Sequence, residues 1–152
     1  MATKQSDQSV ANIHSKFSDL RAAFRSADSK HDFGWEPMLN DYRRLLRDNG
    51  ADNGQIELFS RTDSLILSAQ EYLKSKNYLM ATISFKDAFI LEPDPVLQKV
   101  WLNKTLGTYA QAIRHFVDKK EYGRATYFAK RLHTFMEELD GKKLLTTSDS
   151  YL

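Results

Sequence analysis

Apolar residues recur every three or four positions along most of this chain, which is the spacing of one face of an α-helix. The most regular stretch lies near the carboxyl end and contains Ala125, Phe128, Ala129, Leu132, Phe135, Met136 and Leu139. No stretch keeps the two-residue alternation of a half-buried strand for long. The pattern predicts an all-α chain of about six helices.

Polar or proline-containing segments set the predicted ends of these helices. The predicted helices cover approximately residues 10–24, 36–50, 55–73, 78–91, 96–118 and 125–139. Pro93 and Pro95 separate the fourth helix from the fifth, because the residue before a proline resists the α conformation. We expect one helical domain over residues 1–141 and a flexible tail, rich in Lys, Ser and Thr, over residues 142–152.

The glycine-bearing segment 48–54 admits two interpretations, a turn or a calcium-binding loop. If Gly54 is the turn glycine of a calcium loop, Ala51 and Ser60 fall at positions that need oxygen ligands, and Ser60 replaces the closing carboxylate. The turn interpretation is therefore favoured, since Asn, Asp and Gly tolerate left-handed backbone.

Two apolar runs joined by the polar segment 74–77 form one helix–turn–helix unit over residues 62–95. Its small and aromatic positions are Leu65, Ala69, Tyr72, Tyr78, Ala81, Phe85 and Ala88, with Pro93 after them. This segment resembles a tetratricopeptide repeat, a helix–turn–helix unit of about 34 residues. A second hairpin, about 106–139, matches at Tyr109, Phe116, Tyr122 and Ala125 but has Ala129 and Leu132 where an aromatic and a small residue are usual. Antiparallel hairpins of this kind form either a short solenoid or a helical bundle.

The resemblance implies a non-catalytic adaptor or chaperone-like module that binds another protein, as a peptide or an amphipathic helix. In the family, the first helix of each hairpin lines the binding groove. By position, the groove residues of this chain are Asp63, Ile66, Gln70, Leu73, Lys74, Ala110, Arg114 and Val117. Asp63 and Gln70 stand where the family's carboxylate clamp has cations or Asn, so that mode of peptide recognition is not expected.

A structural subunit of a larger secretion, trafficking or regulatory assembly, or an oligomer, is the alternative function. Its support is the aromatic content, including Trp35 and Trp101, because aromatic side chains are favoured interface anchors. The sequence does not identify the partner. It also leaves open whether the end of the chain, Ser150-Tyr151-Leu152, acts as a ligand for domains that bind carboxyl termini.

Composition narrows the compartment and the chemistry. The chain has no cysteine, which excludes disulfides, thiolate chemistry and cysteine-based zinc sites. It shows no amino-terminal apolar segment of a secretory signal and no apolar run of the ~20 residues that cross a bilayer. We therefore expect a cytoplasmic protein, in a reducing compartment, without a membrane span.

Positive charge is concentrated toward the carboxyl end. Residues 1–98 carry 12 Lys and Arg against 14 Asp and Glu, whereas residues 99–152 carry 10 against 6, a surplus too small to indicate nucleic-acid binding. The basic residues of the two C-terminal helices and the turn between them, residues 96–139, are Lys99, Lys104, Arg114, Lys119, Lys120, Arg124, Lys130 and Arg131. They form either an ordinary solvated face or a surface for acidic peptides or phosphate.

No motif indicates catalysis. Glycine-rich phosphate loops and the nucleophile-elbow context are absent. His133 and Glu137 are four residues apart on one predicted helix, but no third ligand has a matching spacing. We predict that the protein is not an enzyme and has no catalytic residues, metal site or cofactor.

Overall fold

The computed structural model describes residues 16–27 and 36–141, and these residues form six helices and no strand. The helices are α1 (16–25), α2 (Glu36–Asp48), α3 (Asn53–Lys74), α4 (Tyr78–Leu91), α5 (Pro95–Asp118) and α6 (Tyr122–Gly141). The predicted all-α class is confirmed. The start predicted for α1 and the tail predicted over residues 142–152 lie outside the described residues. Within the described part, no helix is long and apolar enough to cross a membrane.

The link between α2 and α3 is a turn, as its residues predict. Gly50 has a φ of 92°, and the Ala51 N–H donates to the Leu46 carbonyl oxygen at 3.0 Å. Asp52 then caps α3, because its Oδ1 accepts the Gln55 N–H at 2.8 Å while Gln55 Oε1 accepts the Asp52 N–H at 3.0 Å. These backbone N–H groups are therefore bonded to the last turn of α2 and to the Asp52 and Gln55 side chains.

The α3–α4 and α5–α6 hairpins turn in the same way, 44 positions apart. Each turn places a lysine in the left-handed region, Lys76 with a φ of 60° and Lys120 with a φ of 59°. In each turn the next residue donates its N–H to the carbonyl oxygen five residues back, at 2.8 Å. The two hairpins are thus geometrically equivalent at their turns, while membership of the tetratricopeptide family stays a prediction.

Each helix from α2 to α6 packs closely against the helices next to it in the chain, and within this set no other pair comes into close backbone contact. The larger core lies among α3 to α6 and contains Ile66, Ala69, Tyr78, Phe85, Ala88, Phe89, Trp101, Leu102, Tyr109, Ala112, Phe128, Phe135 and Leu139. The smaller core joins α1 and α2 to α3 and contains Phe17, Phe24, Tyr42, Leu46, Ala51, Ile56, Phe59 and Leu67.

Alanines lie at the crossing of α3 and α4, where two helix axes approach closely. Ala69, Ala81 and Ala88 are each 0% exposed. The sequence predicts small residues at these positions because interaxial distances of ~8–10 Å leave little space for side chains. The burial of all three alanines is confirmed, while their contact across the crossing stays a prediction.

The outer face of α6 is more polar than the corresponding face of α4. Phe85 and Phe89 of α4 are buried, whereas the residues 44 positions later, Ala129 and His133, are exposed. Helix α4 makes close backbone contact with a helix on each side, whereas α6 makes such contact only with α5 among the helices α2 to α6. A polar outer face is what helical arrays need where a helix faces solvent.

Candidate protein-interaction site

The residues predicted to line a groove do not form one continuous surface. Gln70, Lys74, Ala110, Arg114 and Val117 are exposed, and Leu73 is half-buried. Asp63 and Ile66, however, are each 0% exposed. Neither of these two can contact a partner in this structure, so the groove prediction is corrected at both positions: Ile66 belongs to the larger core, and Asp63 to a buried ion network.

Asp63 is covered because α1 lies against this part of α3. Its carboxylate accepts two hydrogen bonds from Arg21, from Nε to Oδ2 and from Nη2 to Oδ1, both at 2.9 Å. Arg25 Nη1 donates to Oδ1 at 2.9 Å, and the Tyr42 hydroxyl donates to Oδ2. A bidentate guanidinium–carboxylate pair is among the strongest geometries available to two side chains.

Glu92, just after α4, is the second buried acid of the network. Arg21 Nη1 donates to its Oε2 at 2.9 Å and Nη2 to its Oε1 at 2.8 Å. Trp101 Nε1 donates to Oε1 at 2.7 Å, and the Asp94 N–H donates to Oε2 at 3.1 Å. Two guanidinium groups therefore balance two carboxylates, and the network links α1, α2, α3, α5 and the segment between α4 and α5.

Aromatic rings pack against both arginines of the network. The guanidinium carbon of Arg21 lies 4.6 Å from the centroid of the Phe59 ring, and that of Arg25 lies 5.3 Å from the Trp101 ring. The rings of Phe24 and Tyr42 stack with centroids 4.1 Å apart. Trp101 is thus part of the interior rather than an exposed interface anchor, and Trp35 lies outside the described residues.

This environment fixes the protonation states of two of the members. Burial raises the pKa of Tyr42, and the charge of Asp63 and the hydrogen bond to it raise that pKa further, so the phenol stays a donor. Burial alone would lower the pKa of Arg21, but the hydrogen bonds to Glu92 and Asp63 outweigh this effect and raise the pKa. Arg21 therefore remains charged although its side chain is only 4% exposed.

Sequence reasoning missed this network, although one signal of it is present. Phe17, Arg21 and Phe24 are four and three positions apart, so periodicity places Arg21 on the buried stripe of α1. All three are buried in the structure. A charged residue on an apolar stripe indicates a buried partner, but the spacing does not say that the partners are Asp63 and Glu92.

The exposed remainder of the predicted groove lies on α3 and α5, the first helices of the two hairpins. We call it the α3–α5 strip, defined by Gln70, Leu73, Lys74, Ala110, Arg114 and Val117. Val117 is 43% exposed. Within the residues that the structure describes, neither Lys74 nor Arg114 has an ion-pair partner. The strip therefore combines apolar area with two positive charges that have no ion-pair partner in the described part of the chain.

The other candidate chemistry is sparse in the described residues. They contain no group of three or more side chains that could hold a metal ion. His133 Nε2 lies 2.9 Å from Glu137 Oε1, but both side chains are exposed and no further ligand joins them. Among the aromatic residues of the basic hairpin, Phe128 is buried as its periodicity predicts, while Tyr122 and Tyr127 are 60% and 46% exposed.

Comparison of the chain with protein-family models, curated proteins and solved structures finds no match. We therefore infer function from the chemistry of the surface.

Proposed function

We propose that the protein is a non-catalytic interaction module, of the adaptor or chaperone-like kind, that binds an acidic amphipathic segment of a partner protein along the α3–α5 strip. The observation that carries this proposal is that two exposed cations, Lys74 on α3 and Arg114 on α5, have no ion-pair partner among the described residues, and that Arg114 is four and three positions from the exposed Ala110 and Val117. Arginine suits such a role because its fork of N–H donors matches a carboxylate. The cysteine-free sequence is compatible with this activity in the cytoplasm.

The size of the strip limits the partner segment to a short one. Ala110 and Val117 are seven positions apart on α5, which corresponds to about 10 Å at about 1.5 Å per residue. Helix α1 fills the neighbouring part of α3 at Asp63, so the partner cannot extend in that direction. About two turns of a partner helix fit this length, which is typical of a weak, transient interface rather than an obligate one.

The two cations are expected to orient the partner more than to hold it. Charges at the exposed rim of an interface mainly raise the association rate and exclude wrong partners. Their effect falls as salt is added, because the Debye length is only about 10 Å at 0.1 M ionic strength. The exposed apolar area of Ala110 and Val117 supplies the part of the affinity that does not depend on salt.

The test combines site-specific cross-linking with charge reversal in native cell extracts. A photoreactive residue at position 110 should cross-link one partner protein, identifiable by mass spectrometry, whereas the same residue at exposed position 129 on α6 should not. Lys74→Glu combined with Arg114→Glu should abolish the cross-link while circular dichroism stays helical. The matched control is Lys99→Glu with Lys104→Glu, the same charge change at exposed positions of α5 outside the strip. Equal loss in both double variants would contradict the assignment of the strip.

A structural subunit of a larger assembly is the second candidate, and a separate observation favours it. Three apolar side chains around the link between α4 and α5 are exposed, Ile90 by 58%, Val96 by 70% and Val100 by 37%. Exposed apolar groups in one region are a feature of interaction surfaces. Sedimentation separates the two candidates: a well-folded monomer favours the adaptor, and an oligomer that Val96→Glu dissociates favours the subunit.

A further inference from the structure

A cleft of about 440 Å³ lies between α4 and α6, with Tyr109 of α5 also lining it. Its volume is within the range of small-molecule sites, roughly 300–1,000 Å³. Three basic side chains, Lys86, Lys130 and Arg131, and one acidic side chain, Glu138, line it. The cleft shares no residue with the α3–α5 strip.

Arg131 enters this cleft without an acidic partner among the described residues. Its single hydrogen bond there is a long one, from Nη1 to the Tyr127 hydroxyl at 3.4 Å, and its Nε is covered with no acceptor. The guanidinium carbon lies 5.6 Å from the centroid of the Tyr127 ring. An arginine that is positioned by a ring, and not by a carboxylate, keeps its hydrogen-bond donors for a ligand.

Tyr109 and Lys86 also have unused donors in this place. Tyr109 lines the cleft, and its hydroxyl makes no hydrogen bond within the described part of the chain although it is not among the buried unpaired atoms there. This hydroxyl is therefore accessible from the cleft and free to donate. Lys86 Nζ lies 5.4 Å from the Phe135 ring centroid and 3.4 Å from Glu138 Oε2, so only one of its donors has an acidic partner.

We propose that this cleft binds the dianion of a phosphate monoester. Three cations and one carboxylate give the cleft a local charge of +2, which matches the roughly −1.5 to −2 charge of a phosphate monoester at pH 7. A guanidinium can donate two parallel hydrogen bonds to phosphate oxygens, and lysine adds a point charge. A nucleic-acid backbone fits less well, because each of its phosphates carries one charge.

Phosphate binding is measured by NMR on the full-length ¹⁵N-labelled protein, with inorganic phosphate titrated at constant ionic strength. The expected result is saturable shifts of the Arg131 side-chain Nε–H signal and of backbone amides at Lys86 and in residues 127–138. Shifts that do not saturate, or that are equally large at Lys99, Lys119 and Lys120, would mean charge screening and would overturn the proposal.

Three variants sharpen this test. Arg131→Gln should weaken phosphate binding at least about tenfold, because the loss of even one charge-assisted hydrogen bond costs about that factor. The matched control is Arg124→Gln on the same helix, whose arginine is exposed and pairs with Glu121 at 3.6 Å, and it should leave binding unchanged. Glu138→Gln should tighten binding several-fold, because it removes the negative charge in the cleft and frees Lys86. Equal weakening by the two arginine variants, or no gain from Glu138→Gln, would contradict the site.

The source of the phosphate is distinguished by the probe. N-acetyl phosphotyrosine amide and N-acetyl phosphoserine amide present the same dianion on a side chain, and inorganic phosphate presents it free. If either phosphorylated amino-acid amide binds more tightly than inorganic phosphate, the ligand is a phosphorylated side chain of another protein. If inorganic phosphate binds as tightly as both amides or more tightly, the ligand is a free phosphate compound. Either result supports the site, and failure of all three probes to bind overturns it without affecting the proposal for the α3–α5 strip.

Discussion

Replacing Arg21 with methionine should destabilise the protein far more than removal of an exposed arginine. Arg21 donates four hydrogen bonds of 2.8–2.9 Å to Asp63 and Glu92. Its side chain is 4% exposed and both carboxylates are 0% exposed. Methionine keeps most of the length of the side chain but leaves Asp63 with Arg25 as its cationic partner and Glu92 without a cationic partner among the described residues.

The size of the stability loss in Arg21→Met depends on the partners that the two carboxylates keep. Loss of one member of a buried ion pair costs about 3–5 kcal/mol, because the other charge stays buried without compensation. Asp63 keeps its bonds to Arg25 and Tyr42, and Glu92 keeps those to Trp101 and the Asp94 N–H. We therefore expect a loss near the lower end, about 3 kcal/mol, which is a large part of the roughly 5–15 kcal/mol typical of a whole domain.

Urea unfolding, followed by far-ultraviolet circular dichroism, measures this loss. The matched control is Arg44→Met, because Arg44 pairs with Asp41 at 3.0 Å but the two side chains are 69% and 65% exposed. Removal of such a surface pair costs at most about 1 kcal/mol.

A double-mutant cycle of Arg21→Met with Glu92→Gln separates the ion pair from general packing. The combined variant should lose less stability than the sum of the two single losses, because each single change leaves the other charge unbalanced. A loss in Arg21→Met no larger than in Arg44→Met, or strictly additive losses in the cycle, would refute the role given to the network.

Two further predictions concern the helix crossing and the buried phenol. Ala81→Leu should destabilise the folded protein by roughly 1–3 kcal/mol through overpacking, which thermal melts measure. The control is Ala129→Leu, the same change at an exposed alanine, which should have little effect. Equal melting temperatures of the two variants would contradict the close packing of α3 on α4. Tyr42→Phe should cost roughly 1.5–3 kcal/mol near neutral pH, since it removes a hydrogen bond to the charged Asp63. Because the pKa of Tyr42 is higher in the folded protein than in the unfolded chain, the stabilisation from its protonated hydroxyl is complete below about pH 10 and declines above it. The unfolding free energies of the wild-type protein and of Tyr42→Phe should therefore converge as pH rises. A difference between them that stays constant in urea titrations on both sides of pH 10 would contradict the direction of the pKa shift.

The parts of the fold that depend on local sequence were predictable. The side chain of Asn77 accepts the Met80 N–H at 3.3 Å at the start of α4, and Pro95 begins α5 in its first turn. The crossing alanines follow from helical spacing and from the small distance between packed helices. These features arise within one hairpin, so the order of residues is sufficient to find them.

The interaction site was predictable only in part. Which groove positions of α3 stay exposed depends on contacts with α1, and these contacts join residues that are distant in sequence. The resemblance to the repeat family places Asp63 on the groove side of its helix. The repeat unit has no helix that corresponds to α1 and would cover this position. Arg21 is 42 positions from Asp63 and 71 positions from Glu92. Periodicity reveals that Arg21 is buried, but no local rule selects a carboxylate at such a separation.

The same separations have a consequence for the order in which the chain folds. Helices α2 to α6 make their close contacts with chain neighbours, and contacts of low sequence separation form early. The bond from Arg21 to Glu92 closes the longest of the loops described above, 71 positions, and Arg21 meets Phe59, while Trp101 donates to the same Glu92. We therefore expect the first helix to dock last and, as it docks, to bury the carboxylates of Asp63 and Glu92.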